Sequence, residues 1–209
     1  MSNYVTIALA SQAATPTKPT VDRDLSTLNS VFIEWTEGTL GDIPIDGYRL
    51  WMIELATGTV SLVYDGANNA RVFYQSIQNL ETGAYYSFYV QAVNFNGWSL
   101  ESEASVFSVC LQPTHIDSPD YVSSTKTSFT LRWTKPEYTG GCPILSYAVH
   151  MNDGLGGSIF TEVDNASIAN KPYLTEHTFA GLSLTSNFYK FKVEVINEIG
   201  SAISLPSRF

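Results

Sequence analysis

Positive charge is scarce in this chain. Its 209 residues hold 11 Lys and Arg against 20 Asp and Glu, a formal net charge of −9, and charged residues make up only 15%. Nucleic-acid affinity rests on clustered cations that neutralise phosphates, and anionic membrane surfaces ask for the same, so neither partner class fits. Long hydrophobic runs are missing too: none approaches the roughly eighteen residues of a membrane span. The opening Met1–Ala10 has a short apolar run but no basic lead, which does not match a signal peptide. No compartment is legible from such absences.

Catalytic and metal-binding patterns are lacking as well. His115, His150 and His177 are scattered, with no Cys, Asp or Glu at metal-ligand spacing. The glycine-rich Asp153–Gly157 lies between two strand-like stretches instead of before a helix, so it reads as a hairpin turn, not a phosphate loop. Nothing joins a nucleophile, a base and a pocket signature, and the expectation is a non-enzyme without a cofactor. The single sequon, Asn165-Ala166-Ser167, is a triplet common by chance.

What the chain does have is aromatic and β-branched residues, with 12 Tyr and 11 Phe and no long run of helix formers. Tyr86, Phe88, Val90, Ala92 and Asn94 occupy every second position, the alternation of a half-buried strand, and Gly97 follows. The same text returns as Tyr189, Phe191, Val193, Val195, Asn197 and then Gly200, displaced by 103 positions (189 − 86). A repeat of about one hundred residues is one small domain written twice. Val31, Ile33 and Trp35 form another alternating run, answered by Phe129, Leu131 and Trp133. Tyr48, Leu50 and Met52 form a third, and Pro44-Ile45 before it is matched by Pro143-Ile144. Short strands with Gly, Asp and Pro turns between them predict an all-β chain of two antiparallel sandwiches. The boundaries read as 13–111 and 112–209.

The order of landmarks resembles the fibronectin type III family. A Trp in the second strand precedes Pro-Ile-x-x-Tyr, and then comes a Leu, a Tyr-x-Phe-x-Val run, an Asn and a Gly. The resemblance spans both repeats and implies two tandem immunoglobulin-like sandwiches. It implies that Trp35 and Trp133 pack in the cores, and that Tyr86 and Tyr189 make a corner hydrogen bond at the start of their strands. The second copy departs slightly, with seven positions from Leu182 to Tyr189 against six from Leu80 to Tyr86. The immunoglobulin cysteine pair is absent, and so is an Arg-Gly-Asp triplet.

The phase of the repeats also carries an expectation. The first repeat's last strand reads as beginning near Val106, and the same count after Gly200 arrives at Phe209. Repeat two therefore reads as truncated before its last strand. Residues 1–12 read as a surplus, the last strand of a preceding repeat, because Val5–Ala10 aligns with Val106–Leu111. An open sheet edge beside a free strand suggests head-to-tail self-association, with residues 4–10 of one molecule completing repeat two of the next.

Cys110 and Cys142 fall in different repeats by these boundaries. They could form an interdomain bridge if their Cα atoms came within about 7 Å; the simpler expectation is two reduced, semi-buried thiols. The Gly140–Ile144 loop is similar to the Gly-Gly-x-Pro-Ile loops of intracellular titin-like arrays, which leans the same way. For binding, alternation turns Arg49, Trp51 and Ile53 outward beside Tyr89 and Val93, a candidate partner face on repeat one only. The plainer account is that Trp51 and Tyr89 cover each other as a cross-strand pair. The expected partners are other proteins or neighbouring repeats. The expected role is a non-catalytic interaction, spacer or scaffold module of a larger multi-repeat protein. Alternatives are an accessory tandem beside a catalytic domain, or a fragment of a cell-surface adhesion or receptor ectodomain.

Overall fold

The computed structural model describes residues 11–39, 41, 43–163, 166–181 and 188–207, which form two units, Met1–Val109 and Cys110–Phe209. The first contains β1 (Thr20–Thr27), β2 (Ser30–Glu34), β3 (Gly47–Glu54), β4 (Thr59–Asp65), β5 (Tyr74–Ile77), β6 (Tyr85–Asn94), β7 (Gly97–Trp98) and β8 (Ser105–Ser108). The second contains β9 (Asp120–Ser124), β10 (Ser128–Arg132), β11 (Ser146–Asn152), β12 (Phe160–Glu162), β13 (Glu176–Ala180), β14 (Phe191–Ile196) and β15 (Ser201–Ile203). Each unit is a three-stranded sheet facing a larger one. In the first, β1-β2-β5 faces β4-β3-β6, with β7 and β8 on the far edge of β6. In the second, β9-β10-β13 faces β12-β11-β14-β15.

Alternation fixes which side chains meet. Val31 and Ile33, together with Trp35, bury themselves against Tyr48, Leu50, Phe88, Val90 and Ala92. Phe129, Leu131 and Trp133 do the same with Tyr147, Val149, Phe191, Val193 and Val195. Trp35 and Trp133 are thus core residues, at 3% and 2% exposure. At the corner of the first unit the backbone N–H of Glu81 donates to the Tyr86 hydroxyl at 3.3 Å. The matching corner of the second unit falls in 182–187, outside the described residues, as do Asn165 and the expected strand at 4–10. Tyr189 packs on the edge of the second core.

The repeated Asn has a double task. The Asn197 Oδ1 accepts the N–H groups of Ile199 and Gly200 at 2.9 and 3.1 Å, closing the turn after β14. Its Nδ2 donates backwards to the carbonyls of Leu111 and Thr139 at 2.8 and 2.9 Å. Asn94 likewise holds Asn96 N–H and donates to the Ser11 carbonyl. Each unit therefore claims the segment that leads into it, and the boundary moves from 111/112 to 109/110. Residues 11–13 belong with the first unit for the same reason, with Ala13 in its core.

The strand expected near Val106 is β8, paired along β6 from Tyr85 to Phe88, and a short strand that the sequence did not show, β7, precedes it directly after the turn. Ser99 and Ser102 donate their N–H groups to the carbonyls of Ala92 and Val90, and their hydroxyls accept the N–H groups of those same residues at 2.9 and 3.0 Å. The second unit repeats the device: Ser204 Oγ accepts Val193 N–H at 2.9 Å and Ser207 Oγ accepts Phe191 N–H at 3.1 Å. There β15 and the residues up to Ser207 run along β14 as β7 and the residues after it run along β6; the counterpart of β8 would begin at 208, outside the described residues. The edge expected to receive residues 4–10 of another molecule is occupied as far as Ser207, and residues 4–10 themselves lie outside the described residues.

This ladder of buried serines is testable. Ser102→Ala should cost the first unit about 1–3 kcal/mol, because it strands the buried Val90 N–H. Urea melts that show no loss would mean that another acceptor replaces the hydroxyl.

Candidate interaction face

The outward side of the β3–β6 sheet is built by register. Arg49 stands opposite Gln91, Trp51 opposite Tyr89, Ile53 opposite Ser87, and Val93 opposite Trp98 on β7. A register shift in β4 sets Leu62 beside Trp51 and Val60 beside Ile53. The sequence-derived face of Arg49, Trp51, Ile53, Tyr89 and Val93 is thus one continuous surface, and each of the five is half-buried.

Its members are fastened to one another. The Trp51 and Tyr89 rings stack with centroids 6.2 Å apart and planes 12° from parallel. Trp51 Nε1 donates to Gln91 Oε1 at 3.0 Å, and Gln91 Nε2 donates to the Ser99 carbonyl at 3.2 Å. The Arg49 guanidinium lies 3.9 Å over the Trp98 ring and bonds Asp65 through Nε and an Nη at 3.2 and 3.0 Å. That hydrogen bond from Arg49 holds the Asp65 carboxyl below the usual carboxylate range. Burial first, and then the Glu101 carboxylate that its hydroxyl meets, push the Tyr89 phenol up.

The expected cross-strand pair and the expected surface are therefore the same object. Trp51 and Tyr89 do cover each other, yet the pair leaves its rim open, and Val60 and Leu62 stand 53% and 40% exposed beside it. Sequence reading turned Gln91 outward on the same strand but missed Trp98, Val60 and Leu62. Val60 and Leu62 stand two positions apart on one face, so alternation along β4 is the signal that could have found them. Rings held by hydrogen bonds and cation–π stacking lose little freedom when they are covered.

The corresponding side of the second unit is polar. His150 Nε2 meets Glu194 Oε2 at 2.8 Å, the Ser201 hydroxyl donates to the other carboxylate oxygen, and Lys192 Nζ lies 4.5 Å over the Phe160 ring. Asn152 turns inward there, and its Oδ1 caps the Lys190 and Gly154 N–H groups.

Cys110 and Cys142, read above as separate thiols or an interdomain bridge, are joined by a disulfide with Cα atoms 5.7 Å apart. Both lie in the second unit, so the bond is a staple within one sandwich. It ties the lead-in segment to the loop before β11, where Leu111 N–H also donates to the Gly140 carbonyl at 2.8 Å. Gly140 has φ +78°, and a Cβ there would stand 1.9 Å from the Leu111 carbonyl oxygen, so the approach requires glycine.

The profile of the fibronectin type III domain matches residues 14–108, nearly the whole first unit. The second unit pairs its strands in the same order. The first unit belongs to the fibronectin type III family. This tandem is 30% identical to the striated-muscle M-protein of Gallus gallus over 84% of its length, which is 12% of that protein. It is 28% identical to protein sidekick-2 of Mus musculus over 88% of its length and 9% of that protein. It is 29% identical to fibronectin type-III domain-containing protein 3A of Mus musculus over 82% of its length and 14% of that protein. The tandem thus spans a small part of the curated relatives it matches. Among solved structures, the chicken CNTN1 FN1–FN3 domains align over 94% of the tandem and 66% of that chain, with TM-score 0.42 and 17% identity.

Proposed function

We propose that the tandem is a non-catalytic protein-interaction module that docks a partner protein on the β3–β6 face of its first unit. The second unit serves as a spacer or scaffold element in a larger repeat protein. The observation that carries this is the asymmetry between two copies of one fold. The first presents Trp51 and Tyr89 rimmed by exposed Val60 and Leu62. The second fills the same place with His150–Glu194 and Lys192. Apolar, aromatic-rich patches on an otherwise polar surface are where proteins meet other proteins. Similarity to a striated-muscle protein is in keeping with a structural setting.

A photoreactive side chain placed at Leu62 should crosslink the partner, and Trp51→Ala should then weaken its binding by about 2 kcal/mol or more in calorimetry. Leu62→Asp, at a more exposed position, should weaken it in the same direction without disturbing the melt of the first unit. Equal affinity for both variants and the parent would end this reading.

A further inference from the structure

The turn after β14 places Glu198 against the disulfide. Its Oε1 lies 2.9 Å from Cys142 Sγ and 3.4 Å from Cys110 Sγ, and the three donor atoms all fall within 4.8 Å of one another. Both cysteines are buried, at 1% and 2% exposure, while Glu198 is exposed. A disulfide sulfur has no proton to donate, so in this state the anionic oxygen faces sulfur lone pairs. The same arrangement suits two thiols, which would donate to the carboxylate, and it suits a cation better still.

The ligand positions do not depend on the S–S bond alone. Asn197 Nδ2 donates to the carbonyls of Leu111, which follows Cys110, and of Thr139, three positions before Cys142, and Asn197 precedes Glu198. Leu111 N–H to the Gly140 carbonyl adds a backbone tie between the two cysteine segments. One asparagine therefore gathers all three ligand-bearing stretches, and opening the disulfide leaves them gathered.

We infer that Cys110, Cys142 and Glu198, once the disulfide is reduced, form a binding site for a thiophilic divalent cation of the zinc class. A dithiol reductant supplies two electrons and two protons: the S–S bond breaks, two thiols form, and the reductant leaves as its own disulfide. The cation then displaces both thiol protons to solvent and forms two metal–thiolate bonds and one metal–carboxylate bond, with water completing a tetrahedral set. Two thiolates and a carboxylate carry three negative charges, which a divalent ion largely offsets. Zn2+ wants this mixture of sulfur and oxygen donors, and the two sulfurs disfavour Mg2+ and Ca2+. The second unit would thereby exchange one staple for another as the redox setting changes.

The test is a titration of the intact chain, reduced with a phosphine, freed of reductant under inert gas, and given Co2+ alone. The expected result is a thiolate-to-cobalt charge-transfer band that saturates at one equivalent and is displaced by Zn2+. The oxidised chain should show no band, and Cys142→Ser should lose it. Glu198→Gln, with an unchanged far-ultraviolet circular dichroism spectrum, should weaken binding at least about tenfold. No band in the reduced chain, or Glu198→Gln binding as tightly as the parent, would overturn the proposal. So would a reduced, metal-free second unit that has lost its strand signal, since Asn197 would then not be holding the ligands in place.

Discussion

Trp35→Ala should cost the first unit about 3–5 kcal/mol, the largest loss expected from any single side chain there. The indole is 3% exposed and wedged against Tyr48 and Tyr64, with ring centroids 6.2 and 5.7 Å away. It sits one residue beyond β2, where its N–H donates to the Phe73 carbonyl at 2.9 Å, so the backbone cannot retreat to fill a cavity. The Trp35 Nε1 and the Tyr48 hydroxyl are both buried without a protein hydrogen-bond partner. Packing, not a polar bond, is therefore what the ring supplies, and Trp35→Phe should lose much less than the alanine. Urea unfolding of the tandem checks both. The two units have separate cores, so Trp35→Ala should move one transition and leave the other in place. A shift of both transitions together would mean that the units unfold as one.

Opening the staple should be nearly as costly to the second unit. Cys110 and Cys142 are separated by 32 positions. Freeing a loop of that length restores unfolded-state entropy equivalent to about 3–4 kcal/mol. The double variant Cys110→Ser with Cys142→Ser should fall by that amount in urea melts, and the parent chain under reductant and a chelator should melt alongside it. The transition of the first unit should not move. A double variant as stable as the parent would show that Asn197 and the Leu111–Gly140 bond already restrict the same loop.

The sandwiches were legible because most of their strands obey a period of two. Val31-Ile33 and Phe88-Val90-Ala92 each place apolar groups on one side only, and the 103-residue displacement of Tyr, Asn and Gly marks the same domain twice. Trp51 and Tyr89 could be assigned to one face for the same reason. The stretch after Gly97 could not be read that way. Ser99, Ser102 and Ser105 recur every third residue and show no apolar alternation, so β7 and the serine ladder after it were not legible, whereas the strand near Val106 was. The disulfide stood only as an interdomain alternative because the domain boundary rests on long-range hydrogen bonds from Asn197, and moving it by two residues brings Cys110 into the same unit as Cys142.

The spacing of those serines also bears on how tandem copies keep to themselves. Neighbouring domains of similar sequence share a chain at high local concentration, and misassembly by exchange of like strands is their characteristic failure. A foreign strand needs an edge whose bonding groups recur every two residues. From Ser99 to Ser102 and from Ser204 to Ser207 the bonding recurs every three, and the hydroxyls of Ser99, Ser102 and Ser204 donate to the carbonyls of Leu100, Glu103 and Leu205. Those carbonyls are already engaged, and the rhythm does not match that of an ordinary strand. Over that stretch the edge is a poor template for a like strand from the neighbouring copy.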